Sequence, residues 1–135
     1  MKSSLQAGVS RSAKIGIDRD RTIDFMGEKA RVYATPMLVR DIEIACRDLL
    51  GRHLDPGEDS VGTRVELDHL AATLLGMQVE FTLAIAEVKG RSVTFEVTAR
   101  DDVEPICRCR HQRFVVDVRT TEARLAAKAQ KAGLG

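Results

Sequence analysis

The chain has 135 residues, 44% apolar and 30% charged, with 21 Lys and Arg against 20 Asp and Glu for a net charge of +1. That length supports one domain with a core that needs no staples, and the balanced charge excludes the basic excess of a nucleic-acid binder. Aromatics make up 4% with no Trp, which removes a base-stacking platform, and no apolar run reaches the length of a membrane span.

Residues 1–13 contain serines, no acidic residue and no apolar signal-peptide core, and are expected to form a flexible N-terminal tail. Lys14–Asp18 and Arg21–Phe25 alternate apolar and polar residues and predict two short strands joined at Arg19-Asp20, with Gly27–Ala30 as a loop. Thr35-Pro36 predicts a helix start, with Thr capping and Pro at the first helical position. Beyond it, Leu38, Val39, Ile42, Ala45, Cys46, Leu49 and Leu50 share one arc at helical period, with Glu43 on its border, and Gly51 is a stop. A loop around Pro56-Gly57 follows.

The period then changes to two. Val61–Leu70 places Val65, Leu67 and His69 on one face, and Met77–Ile85 alternates in the same way. Val88-Lys89-Gly90-Arg91 predicts a tight turn into a strand over Val93–Ala99, and Asp101-Asp102 turns the chain into a last strand over Ile106–Val118. Thr120-Thr121 is a cap for a terminal helix, Glu122–Lys131. The expected organisation is a tail (1–13), one α+β domain (14–118) and a C-terminal helix (119–135). One helix cannot cover a flat sheet of this size, so an antiparallel sheet curled around a central helix is predicted, which is the hot-dog layout. Its exposed sheet edge predicts a dimer. Three cysteines, an odd and sparse set, fit reduced thiols in the cytoplasm.

Each residue with chemical potential has two readings. Glu43 is either a surface carboxylate paired with Arg47 at i+4 or an acid facing a partly apolar cleft at a subunit seam, where desolvation suits it to base or nucleophile work. Thr35 is sufficient as a cap, yet a hydroxyl at the positive end of a helix also stabilises an oxyanion. His69 points toward the core or its margin, while Asp68 points the other way and is not its orienting partner. Gly62 is either a bulge or a point of close backbone approach for a substrate. Cys107, Cys109 and His111 form a row at period two. Same-face neighbours about 6.6 to 7 Å apart converge poorly on one ion, so strand packing is expected there and no metal. Arg108, Arg110 and Arg113, like Arg124, Lys128 and Lys131, either serve an anion or are simply solvated. There is no phosphate-cradling Gly-rich loop, nucleophile elbow or HExxH.

Taken together, Thr35, Glu43, Gly62-Thr63 and His69 resemble, in type and spacing, the fluoroacetyl-CoA thioesterase branch of the hot-dog acyl-CoA thioesterases. In that pattern a hydroxyl residue opens the central helix, a glutamate follows two turns later, a Gly-Thr pair begins the next strand, and a histidine lies seven residues past the glycine. Similarity continues through Gly76, the Val88–Arg91 hairpin and His111-Gln112-Arg113. The resemblance implies hydrolysis of an acyl-CoA to carboxylate and CoA without a metal or organic cofactor. It implies a triad of Thr35, Glu43 and His69 assembled at the interface of a homodimer, which could pair further into a tetramer; composition and hydropathy already point away from a nucleic-acid or membrane partner. His69 would activate water and the Gly62 N–H would polarise the thioester carbonyl. Glu43 would orient the site or attack to give an anhydride, Thr35 would position the acyl group or stabilise charge, and Thr63 and Arg113 would bind substrate. The segment Phe25–Arg31 has fewer aromatics than the family's phenylalanine-rich lid, so a short-chain acyl-CoA is expected, without special selectivity for fluoroacetyl. Two rivals share the layout: a non-catalytic acyl-CoA-binding module, and an enoyl-CoA hydratase, for which no clear Asp/His dyad is present.

Overall fold

The computed structural model describes residues 1–135. Five strands, β1 (Ser10–Gly16), β2 (Glu58–His69), β3 (Gln78–Lys89), β4 (Ser92–Arg100) and β5 (Pro105–Asp117), form one sheet in the order β1-β3-β4-β5-β2. Every neighbouring pair is antiparallel. Two helices complete the fold, α1 (Thr35–Gly51) and α2 (Val118–Lys131). The period-two segments became strands: β3 to β5 each bury one set of alternating side chains, while β2 pairs along β5 as an edge strand. Val79, Phe81, Leu83 and Ile85 of β3, Val93, Phe95, Val97 and Ala99 of β4, and Ile106, Cys107, Cys109 and Val115 of β5 are buried. They join Leu38, Ile42, Cys46, Leu49 and Leu50 of α1 in one core. Gly90, at φ 61°, takes the first turn position between Lys89 and Ser92, the geometry a two-residue hairpin reserves for glycine. No helix is long and apolar enough to cross a membrane.

Four expectations need correction. The segment 21–25 is not a strand: Arg19–Arg21 is a 3-10 turn closed by the Asp18 side chain, which accepts from the Arg21 N–H. Arg21 then turns inward to Asp41, and only Thr22 bridges to Tyr33. The tail expected over 1–13 contains the first half of β1, and Leu5 is part of the core. Thr35 does not cap α1: Ala34 is the N-cap, no side chain caps the first turn, and Pro36 sits second. Finally, α2 begins at Val118 and is capped by Asp117, whose carboxylate accepts from the Thr120 N–H and hydroxyl.

Two edges are open. β1 pairs only with β3, and β2 pairs only with β5. From Val61 to Glu66 every residue of β2 is exposed. Between Gly62 and Arg64 the register with β5 shifts, leaving Thr63 without a partner residue.

Candidate active site

Two polar clusters lie on α1 and β2, one near each end of the pair. The first joins Thr35 and His69. Released from capping, the Thr35 hydroxyl meets His69 Nδ1 at 2.7 Å. His69 ends β2 beside the first turn of α1, where Tyr33 packs edge-on against its ring with centroids 6.4 Å apart. Its other nitrogen, Nε2, is buried and has no partner. Burial pushes the imidazole below the ordinary histidine pKa, so it is neutral at pH 7. A neutral imidazole bonded at Nδ1, with Nε2 left over, has the form of an oriented general base.

Tyr33 is fixed from behind. Its hydroxyl donates to Asp41, a carboxylate only 6% exposed on α1, and Arg21 Nε donates to the same oxygen at 2.9 Å. Burial and the Asp41 charge hold the phenol far above its usual pKa, so it remains a donor. The backbone adds Tyr33 N–H to the Thr73 carbonyl at 2.8 Å.

The second cluster gathers Glu43, Gly62 and Arg113. Glu43 does not pair with Arg47, as the i+4 reading had it; Arg47 binds Asp59 across the loop at 2.7 and 3.0 Å. Glu43 instead faces Arg113 Nη1 at 3.7 Å. It also lies over Gly62: a Cβ there would sit 3.2 Å from Glu43 Oε2 and 3.3 Å from His111 Cε1. Gly62 is thus the residue that lets the acid and the ring approach the strand. Arg113 is not one of a set of solvated arginines, for it is 4% exposed while Arg108 and Arg110 face solvent. Its Nε donates to Ser60 Oγ at 2.8 Å and its Nη2 to the Ser60 carbonyl at 2.9 Å. Burial lowers its pKa from the usual guanidinium value, and the Glu43 carboxylate works in the opposite direction. Thr63 stands apart, exposed, its hydroxyl donating to the Gln112 carbonyl at 3.2 Å.

Within one chain the two clusters do not meet. Glu43 is a little over two turns beyond Thr35, about 12 Å along α1, and Gly62 is roughly 23 Å from His69 along β2. The row Cys107, Cys109 and His111 is buried packing. Burial raises the thiols to about 12 for Cys107 and about 11 for Cys109, and Cys46 on α1 to about 12, so all are protonated. His111 spends both ring nitrogens on protein partners. With both imidazole nitrogens engaged, the row does not converge on a common point where an ion could sit. Tyr33, Asp41 and Ser60 were not legible as site residues, and His111 was read only as a member of the strand row and of the family resemblance. For Arg113, parity adds a signal to the resemblance, since it shares the odd-numbered face of β5 with the buried Cys107, Cys109 and His111.

Comparison with known proteins gives the family. The profile of the FlK family, the fluoroacetyl-CoA-specific thioesterases, matches residues 17–119. The fluoroacetyl-CoA thioesterase of Streptantibioticus cattleyicolor is 35% identical over 101 residues, covering 75% of this chain and 73% of that one. A crystal structure of a point mutant of the fluoroacetyl-CoA-specific thioesterase FlK in complex with fluoroacetate and CoA superposes with a TM-score of 0.80 at 28% identity, over 87% of this chain and 99% of that one. A Thermus thermophilus member of the thioesterase superfamily, at 24% identity, shares the fold alone, with a TM-score of 0.88 over 98% and 99% of the two chains. The chain therefore belongs to the fluoroacetyl-CoA-specific thioesterase family, thioester hydrolases of the hot-dog fold.

Proposed function

We propose that the protein is a homodimeric, cytoplasmic acyl-CoA thioesterase that hydrolyses a short-chain acyl-CoA to carboxylate and CoA, with no cofactor, and that each site is shared by two subunits. The carrying observation is the split of the polar residues into complementary halves: a base with an orienting hydroxyl at one end of β2, and an acid over a strand glycine at the other. An edge strand leaves a row of N–H and C=O groups free for pairing. Antiparallel pairing of β2 with its own copy about a two-fold axis between Val65 and Glu66 sets Gly62 opposite the partner's His69. Two identical sites result, as a closed isologous interface requires. The short acyl chain follows from the fluoroacetyl substrate of the relative, and the three free thiols favour a reducing compartment.

In this arrangement Nδ1–H of His69 donates to the Thr35 hydroxyl, which leaves the Nε2 lone pair to take a proton from water. The Gly62 N–H of the adjoining subunit polarises the thioester carbonyl. Glu43, held by Arg113, orients the water or attacks the carbonyl itself, and CoA leaves as the thiol. Thr63, exposed on the same stretch of edge strand, contributes to substrate binding from the rim.

The test is thiol release across a panel of acyl-CoA esters, with wild type beside His69→Ala and Glu43→Ala. Turnover is expected for short chains, with a loss of about 10² to 10⁴ in kcat for each substitution. Tight binding by calorimetry without thiol release would support the acyl-CoA-binding module instead, and loss of enoyl absorbance would support a hydratase.

A further inference from the structure

Resting on the thioesterase reading above, we infer that His111 is a positioning residue of the hydrolytic site: its ring, bonded between the Arg64 carbonyl and the Arg113 guanidinium, holds Arg113 and through it Glu43 in place over Gly62. His111 is fully buried on the inner face of β5. Its Nδ1 lies 2.8 Å from the Arg64 carbonyl, an atom that only accepts, so Nδ1 carries the hydrogen. Its Nε2 lies 3.2 Å from Arg113 Nη1, a group that only donates, so Nε2 is bare. Neither partner can exchange roles, and one neutral tautomer is specified. Burial and the Arg113 charge both disfavour a second proton on the ring, against the pull of the Arg64 carbonyl and Glu43.

The consequence falls on Arg113. Ser60 takes its Nε and Nη2, His111 takes Nη1, and the same nitrogen faces Glu43 at 3.7 Å. A guanidinium held on three sides cannot rotate away from the carboxylate it faces. The Arg64 carbonyl lies just past the register shift that follows Gly62, so the same imidazole ties the bulge of β2 to the arginine of β5. The ring plane is set by Phe95, which stacks on it at 6.3 Å and 28°. Its Cε1 then forms one wall of the space over Gly62, and Glu43 Oε2 the other.

Two experiments decide the matter. A long-range ¹H–¹⁵N spectrum of the wild-type imidazoles at neutral pH is expected to show His111 protonated at Nδ1 with Nε2 bare. An Nε2–H tautomer, or an exchanging mixture, would overturn the inference without any substitution being made. The second is a double-mutant cycle in the thiol-release assay. His111→Leu, which keeps an apolar side chain but removes both bonds, should lower kcat by about 10- to 100-fold with KM changed by less than about threefold. In a Glu43→Gln background it should have little further effect, and His111→Gln, which retains a donor and an acceptor, should recover most of the rate. Equal losses in the two backgrounds, or no loss at all, would refute a role through Glu43. If His111→Leu does not fold, His111→Phe takes its place against Phe95. A wild-type enzyme that hydrolyses no thioester would instead defeat the functional reading itself, so the two failures are distinguishable.

Discussion

A hydroxyl at the first residue of a helix ordinarily satisfies the helix. In this chain Thr35 gives its oxygen to His69, and the first turn of α1 has no side-chain cap. Forgoing such a cap costs about 1 kcal/mol, a cost consistent with the hydroxyl serving the imidazole instead. The pH dependence follows from the same residue. General-base action needs neutral His69, and burial lowers its pKa below 6.5. We expect kcat/KM to hold as the pH falls to about 6.5 and to decline only below it, with that acidic limb absent from His69→Ala. His69 and His111 are both held below the usual value in the folded chain. Below about pH 6.5 the unfolded chain therefore binds more protons than the folded one. Their contribution to stability is full above that pH and is lost as the pH falls toward the folded pKa values, which an acid titration of the melting temperature would read. Gly62→Ala makes a sharper test. Its backbone needs no positive φ, so a Cβ strains only what lies over it, and the flexible Glu43 yields before the walled-in His111. A fall of about 10²-fold in kcat is expected, with stability changed by no more than about 1 kcal/mol. Single turnovers in oxygen-18 water divide the two routes at Glu43: direct attack labels the first product acid, whereas an anhydride opened at the protein carbonyl labels Glu43.

At the scale of elements, the entry to α1 matters most. Arg21, Tyr33 and Asp41 converge at the start of the helix, and between them they fix where Thr35 emerges. Asp41→Ala would strand the Tyr33 hydroxyl and leave Arg21 only Asp18. We expect a loss of about 3 kcal/mol by denaturant titration, together with reduced activity because the Thr35–His69 pair shifts. Tyr33→Phe, which removes only the hydroxyl, should cost about 1 kcal/mol. This entry was also the part least legible in the sequence. The strands β3 to β5 could be read to within a few residues because alternation at period two reports burial directly, β2 was found by the same alternation although it is an exposed edge, and the apolar arc gave α1 from Leu38 to Leu50. Asp41 falls just outside that arc, beside Ala45, and nothing local reveals that an arginine twenty residues earlier will neutralise it. The alternation in 21–25 suggested a strand for the same reason: Arg21 faces inward toward a distant carboxylate, which periodicity cannot register. Caps were misread where several candidates adjoin, with Asp117 taking the role assigned to Thr120-Thr121 and Ala34 that assigned to Thr35.

At the scale of the whole molecule, the joint spacing carried the family resemblance and the expectation of a site at a subunit interface, but not which residues meet within one subunit. Thr35, Glu43 and His69 look like one triad along the sequence, and one subunit presents them in two separate clusters about 12 Å apart along the helix. Grouping depends on which side of α1 each residue leaves and on the edge position of β2, and both are products of the completed sheet. The exposed edge from Val61 to Glu66 and the two-fold relation of its ends give the account its central claim, that a working site takes His69 from one subunit and Glu43 from the other. That claim is tested by a heterodimer of a His69→Ala chain and a Glu43→Ala chain, isolated through different tags and compared with each parent homodimer. Neither parent holds an intact site. The shared-site arrangement gives the heterodimer one complete site of two, so thiol release should return to about half the wild-type rate per dimer. A heterodimer no more active than its parents would mean that each chain builds its site alone, and the account would be wrong.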